Sequence, residues 1–147
     1  MSFKVISFNI GLVLVTIVGL ISISTLTYVE KNRKYREIAA MHIVRNLLSN
    51  GSLSIVDWWE GPVNEKYAKH NIISHEKMLR LLQLDYDSAK EMLGISNLEF
   101  RIVLVRADRD IVYFDYGRKE RSVSAVNLVV PCVYLDYPCI LIVWVWG

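Results

Sequence analysis

Residues 5–29 read VISFNIGLVLVTIVGLISISTLTYV, and no charge separates Lys4 from Glu30. An uncharged, mostly apolar run of that length suffices for a helix across a bilayer, which takes about 20 helical residues. A cleaved secretory signal would instead need an apolar core of roughly 7–15 residues and a small-x-small cleavage site. This run is longer, and its end, Ser22-Ile23-Ser24-Thr25-Leu26-Thr27-Tyr28, carries no Ala-x-Ala type site. Residues 1–29 therefore read as a retained transmembrane anchor. Asn9, Gly11 and Gly19 are its candidate helix-packing positions, because small and amide side chains let neighbouring helices approach and bond. Its Ser and Thr hydroxyls can bond within the helix.

The anchor colours the composition of the whole 147-residue chain, which is 53% hydrophobic and 22% charged. All but one of the charges lie in residues 30–147, enough chain for one compact domain. Eight Tyr, four Trp and many Val, Ile and Leu exclude disorder as the main state. Outside the anchor sixteen Lys and Arg stand against fifteen Asp and Glu, a balance of +1 that implies no strongly charged partner.

Nothing in residues 30–49 breaks a helix. Apolar residues recur at Tyr35, Ile38, Met41, Val44 and Leu48, and Ala40, Ile43 and Leu47 widen that stripe. Asn50-Gly51 then supplies a stop, since Gly accepts a left-handed conformation at little cost. One helix from about residue 4 to 49 would be nearly 70 Å long, of which a bilayer core takes about 30 Å. Its second, amphipathic half must carry the folded domain.

Residues 50–97 read as a loop and two short helices. In the loop, Asp57-Trp58-Trp59-Glu60-Gly61-Pro62 places two indoles side by side, either as core and rim or as a platform for a partner or lipid headgroup. Ser74 can cap a helix over 75–82 with Met78, Leu79 and Leu82 inward, and Asp85 can cap one over 86–93 before Gly94.

Residues 98–147 change period. Segments 98–105, 110–116, 122–130 and 139–146 are rich in β-branched and aromatic residues, and short connections between them favour hairpins. The expectation is a four-stranded antiparallel meander packed on the long helix, an α+β fold. The last run, Ile140-Leu141-Ile142-Val143-Trp144-Val145-Trp146, has no polar face and must be covered on both sides. Val143, Trp144 and Trp146, with Trp58 and Trp59, are therefore candidate interface residues. A two-residue turn at Leu135-Asp136 would set Tyr134 opposite Tyr137, Val133 opposite Pro138 and Cys132 opposite Cys139. Both Pro131 and Pro138 then fall in pairs that exchange no hydrogen bonds, as proline requires. Cys132 and Cys139 would form either a disulfide or two buried free thiols.

Two lines of argument oppose each other on orientation. Lys31, Arg33, Lys34 and Arg36 form a basic cluster just after the span, with Lys4 alone before it, which by the positive-inside rule places the domain in the cytoplasm. At lipid headgroups each such residue is worth about 1 kcal/mol. The cysteine pair and the Asn50-Gly51-Ser52 acceptor point to the outside.

A hydrophobic N-terminal helix continuing as the spine of an antiparallel headgroup resembles type IV pilins and pseudopilins, and in particular the small archaeal pilin-like proteins. The similarity rests on Ala39-Ala40-Met41-His42-Ile43-Val44-Arg45-Asn46-Leu47-Leu48 leading to Asp57-Trp58, on Lys77-Met78-Leu79-Arg80-Leu81-Leu82 and Tyr86, and on Met92-Leu93-Gly94 before Phe100-Arg101-Ile102-Val103-Leu104. It covers nearly the whole chain in organisation, with loose motifs. The resemblance implies a cell-membrane subunit with its headgroup outside, packing N-terminal helices with other pilin-like subunits or pilus assembly proteins. Prepilins carry a leader ending in a small residue, and Glu at the fifth position after it. Here a cut after Lys4 puts Ser7 third and Asn9 fifth, with Lys4 where the small residue belongs. That departure makes a minor or accessory role a better expectation than a major pilin.

The residues suggest no catalytic, cofactor-binding or metal set. His70 and His75, near Glu76, Asp85 and Asp87, have no zinc-type spacing. Asp108-Arg109-Asp110 reads as an exposed turn. There is no phosphate-binding glycine loop or nucleophile elbow, so neither an enzyme nor a small-molecule substrate is expected. The basic cluster lacks the stacking aromatics of a nucleic-acid site. The leading expectation is a single-pass pilin-like structural or accessory subunit, with membrane lipids and other subunits as partners. The alternative is a bitopic regulator or adaptor with a cytoplasmic α+β domain.

Overall fold

The structure, a computed structural model, describes residues 3–49, 52–57 and 71–147, with side chains in the first helix from residue 11 onward. It divides into two compact units, Met1–Tyr35 and Arg36–Gly147. The element order is α1 (Phe3–Leu48), β1 (Asn71–Ile72), α2 (His75–Gln83), α3 (Tyr86–Leu93), β2 (Glu99–Arg106), β3 (Val112–Gly117), β4 (Val126–Tyr134) and β5 (Tyr137–Trp146).

The first unit is helical throughout its described length, and every residue from 11 to 30 is exposed. The helix is long and apolar enough to cross a membrane. Thr16, Ser22, Ser24, Thr25 and Thr27 each donate to the carbonyl four residues earlier at 2.8–3.0 Å, so these Ser and Thr hydroxyls require no partner outside the helix.

In the second unit the last turns of α1, with α2 and α3, join one face of the sheet in a single core. Ala40, Ile43 and Leu47 are fully buried and share that core with Phe100, Ile102, Leu104, Leu141, Val143 and Val145. The buried stripe differs from the expected one. It runs Arg36, Ala39, Ala40, Ile43, Leu47, while Ile38 (61%) and Met41 (53%) are exposed and Val44 and Leu48 are only partly covered. Two small residues, Ala39 and Ala40, thus stand at the centre of the buried stripe, and the larger Ile38 and Met41 beside them face outward.

The caps form as read. Ser74 accepts from Lys77 N, Asp85 accepts from Ser88 N, and Gly94 ends α3 with φ 65°. Within α2, however, Met78 and Leu81 are buried, whereas Leu79 and Leu82 are exposed.

The sheet corrects the four-stranded antiparallel meander. It has five strands in the order β1-β4-β5-β2-β3, and β1 lies parallel to β4, pairing Asn71 with Cys132 and Ile72 with Val133. The hairpins β2–β3 and β4–β5 stand side by side, joined by antiparallel pairing of β2 with β5. Residues 118–125 therefore cross from one side of the sheet to the other. The physical reason is the doubly apolar last strand. A meander would leave it at an edge, whereas here β5 is central, with both backbone sides paired.

The last hairpin has the register that its turn predicts, with Tyr134 opposite Tyr137, Val133 opposite Pro138 and Cys132 opposite Cys139. Leu135 (φ 51°) and Asp136 (φ 65°) both take the left-handed conformation that a two-residue primed turn demands.

Candidate membrane and assembly surfaces

Alternation along the strands sorts the sheet into two faces. Cys139, Leu141, Val143 and Val145 point to the core. On the other face the registers line up rows across four strands. One is Val129, Ile142, Val103, Asp115; the next is Pro131, Ile140, Val105, Val112; a third is Asn127, Trp144, Arg101, Gly117. The first two rows are apolar apart from Asp115. Val129 and Val112 are each 56% exposed, Ile140, Ile142 and Val105 are half-buried, and Val103 is buried without belonging to the core cluster.

The third row is polar around an indole. Arg101 binds Asp115 through two bonds of 2.8 Å, and Arg101 and Arg121 lie 5.9 Å and 5.3 Å from the Trp144 ring centre. The Arg101 guanidinium holds the Asp115 carboxyl below its usual range, against the opposing effect of burial.

Of the residues singled out in the sequence, Trp144 alone among the described interface candidates stands half-exposed on this outer face. Val143 is fully buried in the core and Trp146 is 6% exposed. Trp58 and Trp59 lie outside the described residues, as does the Asn50-Gly51 part of the acceptor sequence. In the apolar N-terminal helix, a Cβ added at Gly11 or Gly19 would meet nothing within 4 Å, and the side chain of Asn9 lies outside those described. Lys31, Arg33 and Lys34 are exposed. Arg36 separates from that cluster, being buried in the second unit, where its Nη1 donates to the Ser124 carbonyl at 2.5 Å.

Cys132 and Cys139 are two buried free thiols, so the disulfide weighed for them is absent. They face each other in a hydrogen-bonded pair, a less comfortable position for a bridge than the closer non-bonded pairs. Burial, and then the neighbouring Cys139, push the Cys132 thiol up to about 12, and burial also raises Cys139.

Sequence reasoning missed two polar groupings. The Tyr86 hydroxyl accepts from Phe100 N at 3.0 Å and donates to Glu99 Oε2 at 2.7 Å, while Lys90 and Arg118 reach Glu99 Oε1 at 3.1 and 3.0 Å. Burial raises the Glu99 carboxyl, but the bonds from Tyr86 and Lys90 and the nearby Arg118 outweigh it and leave it lowered. The His75 ring meets the Tyr134 hydroxyl at 2.6 Å. Neither grouping has a periodic signal, because its members come from different elements.

A cleft of about 340 Å³ lies between Ser52-Leu53-Ser54 and α2, with Leu81, Leu84 and Met92 among its lining residues. Its cations are engaged. Lys77 donates to the Val56 carbonyl at 2.6 Å and lies 3.4 Å from Asp57, and Arg80 pairs with Glu76. Among the described residues no three His, Cys, Asp or Glu converge as metal ligands. Compared with known proteins, the chain matches no family model, no curated protein and no solved structure.

Proposed function

We propose that the chain is a single-pass, pilin-like subunit of a type IV pilus-like surface assembly, structural or accessory, with its domain outside the cell membrane. The observation that carries this reading is α1. One hydrogen-bonded helix supplies an apolar stretch of spanning length and, from Arg36 onward, a wall of the α+β core. An exposed apolar helix of spanning length at the N-terminus suits a subunit that assembles through that segment. The half-exposed apolar rows of the outer sheet face offer a second contact in water for a like subunit or an assembly protein.

The test is the oligomer distribution of the full chain in membranes, read by cross-linking. Gly11→Leu and Gly19→Leu should shift it toward monomer, because bulk at these positions keeps helices apart. An unchanged distribution would overturn assembly through the anchor.

A second reading, a bitopic regulator or adaptor with a cytoplasmic domain, is favoured by the exposed Lys31, Arg33 and Lys34 just after the span. Protease added to intact cells separates the two. Digestion of the domain supports the outside orientation, and full protection supports the cytoplasmic one.

A further inference from the structure

Cys132 and Cys139 are directly opposed on β4 and β5, and both point into the core, where they are 3% and 2% exposed. The turn at Leu135-Asp136 sets that register, so the pair falls on a rung whose backbones exchange hydrogen bonds. On such a rung the Cβ atoms stand at the wide end of about 4.5–5.5 Å, whereas a disulfide prefers about 3.8 Å. A linear sulfur–metal–sulfur unit matches the wider spacing. With metal–sulfur bonds of about 2.3 Å its sulfurs lie about 4.6 Å apart, within reach of two facing cysteines at that separation.

The donor set selects the ion. Among the described residues no third His, Cys, Asp or Glu joins the two thiols as a metal ligand. Two donors do not complete the tetrahedron that zinc takes, and calcium and magnesium take oxygen. Thiolates select soft ions, and Cu(I) is satisfied by two of them in a line.

The surroundings also suit thiolates held on an ion. Burial raises both thiols, but the Leu141 N–H acts on the Cys132 sulfur and the Tyr134 N–H on the Cys139 sulfur, each favouring the thiolate. Arg106 adds a positive charge near Cys139. Two thiolates with Cu(I) between them carry one negative charge, so the core holds less charge than two bare thiolates would bring. The rung is the second hydrogen-bonded one from a turn where Leu135 and Tyr137 are exposed, and fraying of that hairpin end admits an ion.

We propose that Cys132 and Cys139 form a two-coordinate site for Cu(I), with one sulfur of each on the ion. On binding, each thiol gives its proton to the buffer, the ion's previous ligands leave, and two copper–sulfur bonds form. The copper remains Cu(I), and no electron is transferred. The site requires neither a membrane span nor an orientation of the domain, so it stands apart from the proposed assembly.

The full chain, solubilised in detergent and kept reduced under nitrogen, is titrated into the coloured complex of Cu(I) with bicinchoninate. The loss of colour should level off at one copper per chain. Cys132→Ser and Cys139→Ser should each abolish the transfer while keeping the far-ultraviolet circular dichroism of the parent. X-ray absorption of the copper-loaded parent, which requires no variant to fold, should show a shell of two sulfurs. A parent that takes no copper, or transfer that survives in either folded variant, overturns the site. So does a shell that contains nitrogen, oxygen or a third sulfur, as histidine or methionine elsewhere in the chain would give.

Discussion

Arg36 Nη1 lies 2.5 Å from the carbonyl oxygen of Ser124, a bond between residues 88 apart in sequence that ties α1 to the connection crossing the sheet. The connection has few apolar anchors, since residues 118–124 are exposed, and a buried guanidinium is a strong donor with a long reach. Arg36→Met keeps the apolar stem and removes the charge-assisted bonding. Bonds to charged groups are worth about 1.5–3 kcal/mol, and the variant should lose about that much in urea unfolding of the detergent-solubilised chain. A loss below roughly 0.5 kcal/mol, within the range of an ordinary surface change, would show that the connection is held by other means.

Gly117 is where β3 gives way to that connection, and it has φ 109°. A Cβ there would overlap the Phe100 carbonyl and also lie 3.0 Å from Arg101 Cα, both backbone atoms that cannot step aside. Gly117→Ala therefore combines backbone strain with a steric clash and should cost about 2–4 kcal/mol. Gly94→Ala, also at positive φ but with open space around its Cβ position, should cost about 1 kcal/mol. Equal losses in the two variants, measured by thermal unfolding, would remove the clash as the cause.

Local features of this fold were legible in the sequence, and long-range ones were less so. The apolar helix over residues 5–29, the Ser74 and Asp85 caps and the turn at Leu135-Asp136 each depend on residues adjacent in sequence. Strand order depends on competition among strands for the centre. The run 140–146 lacks a polar face, but that does not reveal that its backbone pairs with both β4 and β2 or that its outer face at Ile140, Ile142 and Trp144 stays half-exposed. β1 is two residues long and exists because the edge of β4 offers the Val133 carbonyl to Ile73 N at 2.8 Å, a contact without any periodic trace. In α1 the ambiguity was between Ala39 and Ala40 on one side and Ile38 and Met41 on the other. Hydropathy favours the larger residues, and the helix buries the smaller. Of the candidate surfaces, the sequence marked the last strand as an interface, but only the register separates Trp144, facing outward, from Val143, facing the core.

The Cys132 thiol, raised from 9.0 to about 12 by burial and then by Cys139, makes stability depend on alkaline pH. A group with a raised folded pKa contributes stability that is fully present below its unfolded value and is lost as pH rises toward the folded one. Above pH 9 the unfolded chain sheds the Cys132 proton while the folded chain keeps it, so stability falls by up to about 1.4 kcal/mol per pH unit. Tyr86, Tyr116 and Tyr134, also raised by burial, steepen the fall above pH 10. Cys132→Ala should lower stability at every pH but flatten the slope between pH 9 and 10 by about 1 kcal/mol per unit. An unchanged slope would mean that the thiol does not titrate with unfolding.

Val129 is the outer-face residue best placed to test whether the apolar rows make subunit contacts. It is 56% exposed, and its row continues through Ile142 and Val103 toward the Arg101–Asp115 pair. It lies on β4 beyond the two residues that β1 covers, so its strand edge is open among the described elements. A lysine there can keep its ammonium in water, and substitutions at such positions usually change stability by no more than about 0.5 kcal/mol. A charge on an exposed strand edge also opposes pairing with another chain. Val129→Lys should therefore leave the melting temperature of the full chain nearly unchanged while moving cross-linked species in membranes toward monomer. Val143→Lys, at a fully buried position in the adjacent strand, should unfold the domain instead, which separates a lost contact from a lost fold. If Val129→Lys leaves the oligomers intact while Gly11→Leu dissolves them, subunits associate through the anchor and the outer sheet face faces something else.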